Sequence, residues 1–173
     1  MCRTGLWSPR AALRDDEIAL TEIPRMKAAA KAVVKRVFQE EPERVYEAWL
    51  KPELIGSWMF GPSVRDEEIV HLVVDPRVGG AFSFMVERNG ETIEHLGKYL
   101  EVECGRRLVF TWMVAGSAVG SRVLLDFSGG AGECELTLTH ELHPTWADHV
   151  QAMESSWARL LDRLAAALVA RRS

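Results

Sequence analysis

The chain has 173 residues, of which 47% are hydrophobic and 27% charged, and its formal net charge is −4. This balance is that of a folded globular protein, and the length fits one domain plus an extension. The acidic balance lacks the basic field that nucleic acids require, so we expect no nucleic-acid partner.

The N-terminal segment, residues 1–30, differs from the rest, and we predict that it is an extension to a domain at residues 31–173. Ser8 followed by Pro9 indicates a short helix in it, because both residues favour helix starts. No apolar run reaches the roughly 18 residues of a membrane span, and no signal-peptide core is present. Three cysteines without CxxC spacing fit reduced thiols. We therefore expect a cytoplasmic protein with no integral membrane association.

A strand and two short helices begin the predicted domain. The β-branched run Lys31–Gln39 predicts the strand, and Pro42 at a favourable first helical position predicts a helix that reaches Leu50. A second short helix is predicted from Pro52, because apolar residues recur on one side of it. Gly61-Pro62 ends this helical region.

Six further segments have strand character and are separated by turn residues. They are EIVHLVV, AFSFMV, the alternation from His95 to Val102, RLVFTW, SRVLLDF and ECELTLTHEL. Asn89-Gly90 is the strongest hairpin signal among the turns. Closely spaced strands without intervening helices predict an antiparallel meander.

The tail from Thr145 to Ala170 predicts one long amphipathic helix. Thr145 and Asp148 have the spacing of a capping box at its start. At 1.5 Å per residue the helix would be about 39 Å long. Such a helix can cross a curved sheet from edge to edge.

Five segments carry a resemblance to a known superfamily: RVFQEEPERVYEAWLKPELIGSWMFGP, VDPRVGGAFSFMV, HLGKYLEVECGRRLVFTW, CELTLTHEL and MESSWARLLDRLAAAL. Between about Val33 and Leu168 the chain resembles the START-like, Bet v-type helix-grip superfamily, in particular its branch related to activators of the ninety-kilodalton heat-shock protein ATPase. Ser156 departs from the pattern, because the family often has glycine before Trp157. The resemblance implies an α+β helix-grip fold, in which a strongly curved antiparallel sheet wraps around the long C-terminal helix.

A strongly curved sheet needs positions where the backbone can bend, and glycine permits this. Gly79-Gly80 are predicted to make the bend. The alternation after them places Phe82 and Phe84 on one face, toward the helix. Phe110 and Trp112 share a face of their strand by the same argument.

Ten residues, most of them aromatic, are candidates for the wall of a cavity between the sheet and the C-terminal helix. They are Trp49, Trp58, Phe60, Phe82, Phe84, Tyr99, Phe110, Trp112, Met153 and Trp157. A filled core is the competing interpretation for each of them. The superfamily geometry implies an interior too wide to fill, and such cavities bind apolar small molecules. We therefore predict binding of an apolar or aromatic small molecule or lipid, without a cofactor, by a monomer or homodimer.

Two other functions stay open. The resemblance to heat-shock ATPase activators implies a possible protein partner, with the chain acting as a chaperone-associated interaction module. Some relatives are cyclase- or dehydratase-like enzymes, which would need an acid or base inside the cavity. The available residues are Glu94, His95, Glu101, Arg122 and Asp126. No spacing joins two of them into a catalytic pair, so no catalytic residue is predicted.

The segment His140-Glu141-Leu142-His143 has the composition of a metal-ligand cluster. On a strand, however, positions 140 and 143 point to opposite faces and cannot converge on one ion. His71, His95 and His149 are isolated in the sequence. No metal site is expected.

Overall fold

The computed structural model describes residues 30–171. In chain order these residues form β1 (Ala30–Phe38), α1 (Pro42–Glu47), α2 (Pro52–Trp58), β2 (Glu68–Val74), β3 (Ala81–Arg88), β4 (Glu91–Glu103), β5 (Arg107–Val114), β6 (Ser121–Gly130), β7 (Glu133–Leu142), a 3₁₀ helix (Pro144–His149) and α3 (Val150–Ala170). The predicted order and the α+β helix-grip fold are confirmed. The short helix predicted at Ser8 lies outside the described residues.

The seven strands form one antiparallel sheet in the order β1-β7-β6-β5-β4-β3-β2. The β3–β4 hairpin turns at Asn89 and Gly90, whose φ angles of 53° and 77° are both positive, as its tight turn requires. β1 pairs with β7 along its whole length, from Ala30 opposite Leu142 to Phe38 opposite Cys134. The sheet is therefore an open, curved surface whose first strand neighbours its last.

One face of this sheet carries the hydrophobic core. Phe82 and Phe84 are both buried in that core, whereas Ser83 between them hydrogen-bonds to His71 and Glu94. The predicted facing of β3 is therefore confirmed. From α3, the residues buried against the same core recur at helical spacing and are Trp157, Leu161, Leu164 and Leu168.

The C-terminal helix begins later than predicted. Pro144 starts a 3₁₀ turn, because proline suits a first helical position, and α3 follows only from Val150. The capping residue is His143, whose Nδ1 accepts a hydrogen bond from the Thr145 N–H at 3.3 Å, so the predicted capping box at Thr145 is wrong. With 21 residues, α3 is about 31 Å long. No helix within residues 30–171 is both long and apolar enough to cross a membrane.

Glycines shape the sheet at a place that the sequence analysis did not identify. Gly79 and Gly80 lie in the turn between β2 and β3, where Gly79 has a φ of +81°, so they close a turn rather than bend a strand. Within β4, a Cβ atom on Gly97 would lie 2.1 Å from the ring of Phe82. Gly97 therefore lets that ring lie directly across the strand.

One cysteine, Cys134, lies on β7 and is buried. Cys134 is a free thiol in the core, and burial raises its pKa to about 11. Its free state fits the expectation of a reduced thiol at this position.

Candidate functional site

One end of the interior is not filled by side chains. A cavity of about 410 Å³ lies between α3 and the strand ends near the β3–β4 and β5–β6 turns. Its apolar walls include Met59, Phe60, Ile93, Trp112, Trp146, Met153, Trp157 and Leu160. A mostly apolar hollow with a few polar groups is the usual form of a small-molecule site.

The ten predicted wall residues separate into two groups. Phe60, Trp112, Met153 and Trp157 line the cavity. The other six belong to the packed core and do not line it; they are Trp49, Trp58, Phe82, Phe84, Tyr99 and Phe110. Their rings contact one another closely, with centroid distances of 4.7 Å for Trp49–Trp58 and 4.6 Å for Phe82–Phe84. These six rings fill one end of the interior.

His95 is a polar group in the cavity wall. Its ring lies between Phe60 and Trp112, with a centroid distance of 5.1 Å to each. Both ring nitrogens are buried and have no hydrogen-bond partner among residues 30–171. Burial, together with smaller contributions from the charges of Arg88 and Arg65, lowers the pKa of His95 to about 4. The neutral ring therefore offers one donor and one acceptor to whatever occupies the cavity.

A second histidine, His140, belongs to a fully satisfied chain of hydrogen bonds. The Trp157 Nε1–H donates to His140 Nδ1 at 3.1 Å. Because Nδ1 accepts, the ring proton is on Nε2, which donates to Ser121 Oγ at 2.7 Å. Ser121 Oγ donates in turn to the Trp112 carbonyl at 3.0 Å. Burial lowers the pKa of His140 to about 4, so the ring is neutral and holds the cavity wall in place.

The hydrogen bonds around His140 argue against Ser121 as a nucleophile. A serine is activated when a neighbouring base accepts its proton. His140 Nε2 already carries a proton and points it at Ser121, while Nδ1 is held by Trp157. The serine–histidine pair is therefore a structural element of the wall.

Of the five residues available for acid–base chemistry, only His95 lines the cavity. The other four have partners elsewhere: Ser83 for Glu94, Arg107 for both Glu101 and Asp126, and Glu141 for Arg122. His140 and His143 also have separate roles, in the wall and at the 3₁₀ helix. Among residues 30–171, no group of three or more His, Cys, Asp or Glu residues could hold a metal ion.

The opening of the cavity is basic. Arg65 and Arg88 line both the cavity and a neighbouring depression of about 330 Å³, and Arg159 and Arg163 line the depression as well. The sequence analysis missed this cluster, because its members come from the loop after α2, from β3 and from α3. The sequence analysis named His95 as one of five available acid–base residues but did not place it in the cavity wall, although two-residue spacing puts His95 on the same face of β4 as Tyr99.

The sequence profile of the family described as "Activator of Hsp90 ATPase homolog 1-like protein" matches residues 40–169. The chain belongs to this family. The matched region runs from just before α1 almost to the end of α3, so the cavity lies within the family's domain. No curated protein matches the chain in sequence.

Solved structures of similar proteins share the fold. A protein from Chromobacterium violaceum has 23% sequence identity and a TM-score of 0.68, with 80% of this chain and 96% of that chain covered. An AHSA1-like protein from Aeromonas hydrophila has 21% identity and a TM-score of 0.66, with 82% and 93% covered. A putative protein in the dynemicin biosynthetic locus has 21% identity and a TM-score of 0.64, with 80% and 46% covered. At these identities the likeness is one of fold.

Proposed function

We propose that this member of the Hsp90 ATPase activator-like family binds an apolar or aromatic small molecule in the cavity beside α3. The observation that carries the proposal is the apolar hollow of about 410 Å³, to which His95 contributes two ring nitrogens that have no hydrogen-bond partner among residues 30–171. A buried polar atom without a hydrogen bond costs free energy, so native proteins contain few of them. A ligand with one hydroxyl or carbonyl group would satisfy His95 while its apolar part contacts the walls.

The walls favour a compact ligand with flat surfaces. The rings of Trp112 and Trp157 meet edge to face, with centroids 6.3 Å apart, and His95 stacks on Trp112. Small-molecule sites span roughly 300 to 1,000 Å³, and this cavity is near the lower limit. A small aromatic compound or a single alkyl chain therefore fits better than a lipid with two chains.

The test first identifies a ligand and then blocks the cavity with a larger side chain. Native mass spectrometry of purified protein, followed by denaturing extraction, detects what co-purifies, and thermal shift screens fatty acids, flavonoids and polyketide-like aromatics. Ser156 lines the cavity, so Ser156→Phe should fill it. Ser155→Phe is the matched control, because Ser155 is the preceding residue of α3 and is exposed.

The proposal predicts that wild type and Ser155→Phe bind and are stabilised by the same compound, whereas Ser156→Phe is not. Circular dichroism checks that both variants fold. Equal stabilisation of Ser156→Phe would place the ligand elsewhere. The absence of any bound or stabilising compound would contradict the proposal. A compound that binds should then be assayed for turnover, which separates a binding protein from an enzyme that uses the same cavity.

A protein-interaction role is the second candidate, and the family match supports it. In this case purified protein would change the ATPase rate of Hsp90 in a concentration-dependent way. Ser156→Phe would retain the effect if the interaction does not use the cavity. An unchanged ATPase rate would remove this candidate.

A further inference from the structure

Four arginines come together beside the opening of the cavity. Arg65 lies in the loop after α2, Arg88 ends β3, and Arg159 and Arg163 lie one turn apart on α3. They line one depression, and Arg65 and Arg88 also line the cavity itself. The two spaces therefore adjoin, with the apolar cavity inside and the arginines at its edge.

One carboxylate, that of Glu67, pairs with two of these arginines, Arg65 and Arg88. Glu67 has a fully buried side chain and accepts hydrogen bonds from Arg88 Nε at 3.0 Å and Nη2 at 2.5 Å. Its other oxygen accepts from the Gly61 N–H at 2.9 Å and lies 3.9 Å from Arg65 Nε. The described residues that line the depression include no acidic residue. Both oxygens of Glu67 are therefore already engaged, and neither Arg159 nor Arg163 forms an ion pair with it.

The guanidinium groups keep free donors. Arg65 Nη2 donates to the Met59 carbonyl at 3.3 Å, and Arg163 Nη1 donates to the Ser63 carbonyl at 2.8 Å. Each guanidinium has five N–H donors, so these bonds hold the groups in place and leave others unused. The side chain of Arg159, on α3, makes no hydrogen bond or ion pair with any residue from 30 to 171.

Crowding among these cations is reflected in the pKa of Arg65. Burial is the largest cause that lowers it, and the charges of Arg88 and Arg163 lower it as well, against the opposing effect of Glu67. An anion placed among the arginines would relieve this repulsion. The planar guanidinium fork also matches the paired oxygens of a carboxylate or a similar oxyanion.

We infer that the cavity ligand is an apolar acid, whose anionic group binds among Arg65, Arg88, Arg159 and Arg163 while its hydrocarbon or aromatic body occupies the cavity. This inference rests on the proposed function and narrows its ligand class. Because Arg65 and Arg88 line both spaces, one molecule can contact the apolar walls and the arginines at once.

Two fluorescent probes test the inference. Phenylnaphthylamine is neutral, and anilinonaphthalenesulfonate has the same phenyl and naphthyl groups with an added sulfonate. Wild-type protein should bind both, and the sulfonate should bind about tenfold more tightly at low salt, as expected for a few charge contacts. Because salt screens charges, this advantage should shrink as the ionic strength rises.

The double variant Arg159→Gln with Arg163→Gln removes two exposed charges and leaves the buried Glu67–Arg88 pair intact. It should weaken sulfonate binding by about threefold to tenfold and change binding of the neutral probe by less than about twofold. The control is Arg77→Gln with Arg106→Gln, which removes the same charge from two exposed turn residues that line neither space. The control should bind both probes as wild type does.

The outcomes separate the two proposals. If wild type binds both probes equally, or if the double variant and its control lose sulfonate binding to the same extent, the inference is overturned while the cavity proposal stands. If wild type binds neither probe, or if Ser156→Phe binds the neutral probe as well as wild type does, both proposals fail together.

Discussion

The two ends of the sheet's inner face carry similar residues and differ in what covers them. At one end, beside α1 and α2, the ring of Trp49 contacts those of Trp58 and Phe110, and Phe110 contacts Phe82, all within the buried core. At the other end, Trp112 and its neighbours surround a cavity of about 410 Å³. An aromatic residue on this face is therefore core or cavity wall according to the element above it.

Polar groups differ between the two ends as well. At the filled end, the Trp58 Nε1–H donates to the Ala48 carbonyl at 3.1 Å, although Trp49 Nε1 has no partner among the described residues. At the open end, the ring nitrogens of His95 have no hydrogen-bond partner within the described part of the chain, and four arginines lie at the entrance. The filled end serves stability, and the open end has the groups that a ligand could use.

The largest expected difference between the two ends is in the free energy of unfolding that is lost when a side chain is shortened to alanine. Phe82→Ala removes a buried ring from the filled end and should lower the free energy of unfolding by about 3–5 kcal/mol. Met153→Ala, at the half-buried wall of the cavity, should cost no more than about 1 kcal/mol, because it adds to an existing space. Urea denaturation measures both. Equal losses would show that the two ends are packed alike.

Acid should weaken the protein through the buried histidines. The pKa values of His95 and His140 are about 4 in the folded state, below the ordinary 6.5, so the unfolded state binds more protons between these values. Stability therefore falls as the pH drops from 6.5 toward 4, by about 2 kcal/mol for each histidine between pH 7 and pH 5.

His95→Phe should remove the share of one histidine from this pH dependence. Urea denaturation at pH 7 and pH 5, on wild type and on the variant, measures the difference. If the two proteins lose the same stability on acidification, His95 is not buried in neutral form.

The same substitution at the two histidines should have opposite effects at neutral pH. His95→Phe removes two buried atoms without partners and should stabilise the ligand-free protein by about 1 kcal/mol. His140→Phe leaves the Trp157 N–H and the Ser121 hydroxyl without their partner and should destabilise by about 1–3 kcal/mol. Thermal denaturation gives the sign of each change. Destabilisation by both would mean that His95 has a partner in the ligand-free protein.

Much of the fold could be predicted from the sequence, because local signals determine it. Alternating β-branched residues, Asn89-Gly90 and the apolar stripe of α3 specified the order of elements. The predicted start of α3 was wrong, because Pro144 and the side chain of His143 stabilise a 3₁₀ turn before it. The role of Gly79-Gly80 was wrong because a glycine pair fits a turn and a bend equally well.

The site could be predicted only in part. Phe82 and Trp112 have the same local pattern, yet one is core and the other lines the cavity, because distant elements decide what covers each ring. The arginine cluster was missed for the same reason, since Arg65, Arg88 and Arg159 are far apart in the chain. The position of His95 on the inner face could have been predicted, because it lies four residues before Tyr99 on the same strand.

The account's central claim is that a small apolar molecule occupies the open end, and methionine-methyl NMR tests it most directly. Met59 and Met153 line the cavity, whereas Met85 lies on β3 between the inward-facing Phe84 and Val86 and does not line it. During titration with phenylnaphthylamine, the methyl signals of Met59 and Met153 should shift and that of Met85 should stay in place. Saturable binding that shifts Met85 as much as the other two, or that shifts neither Met59 nor Met153, would contradict the claim.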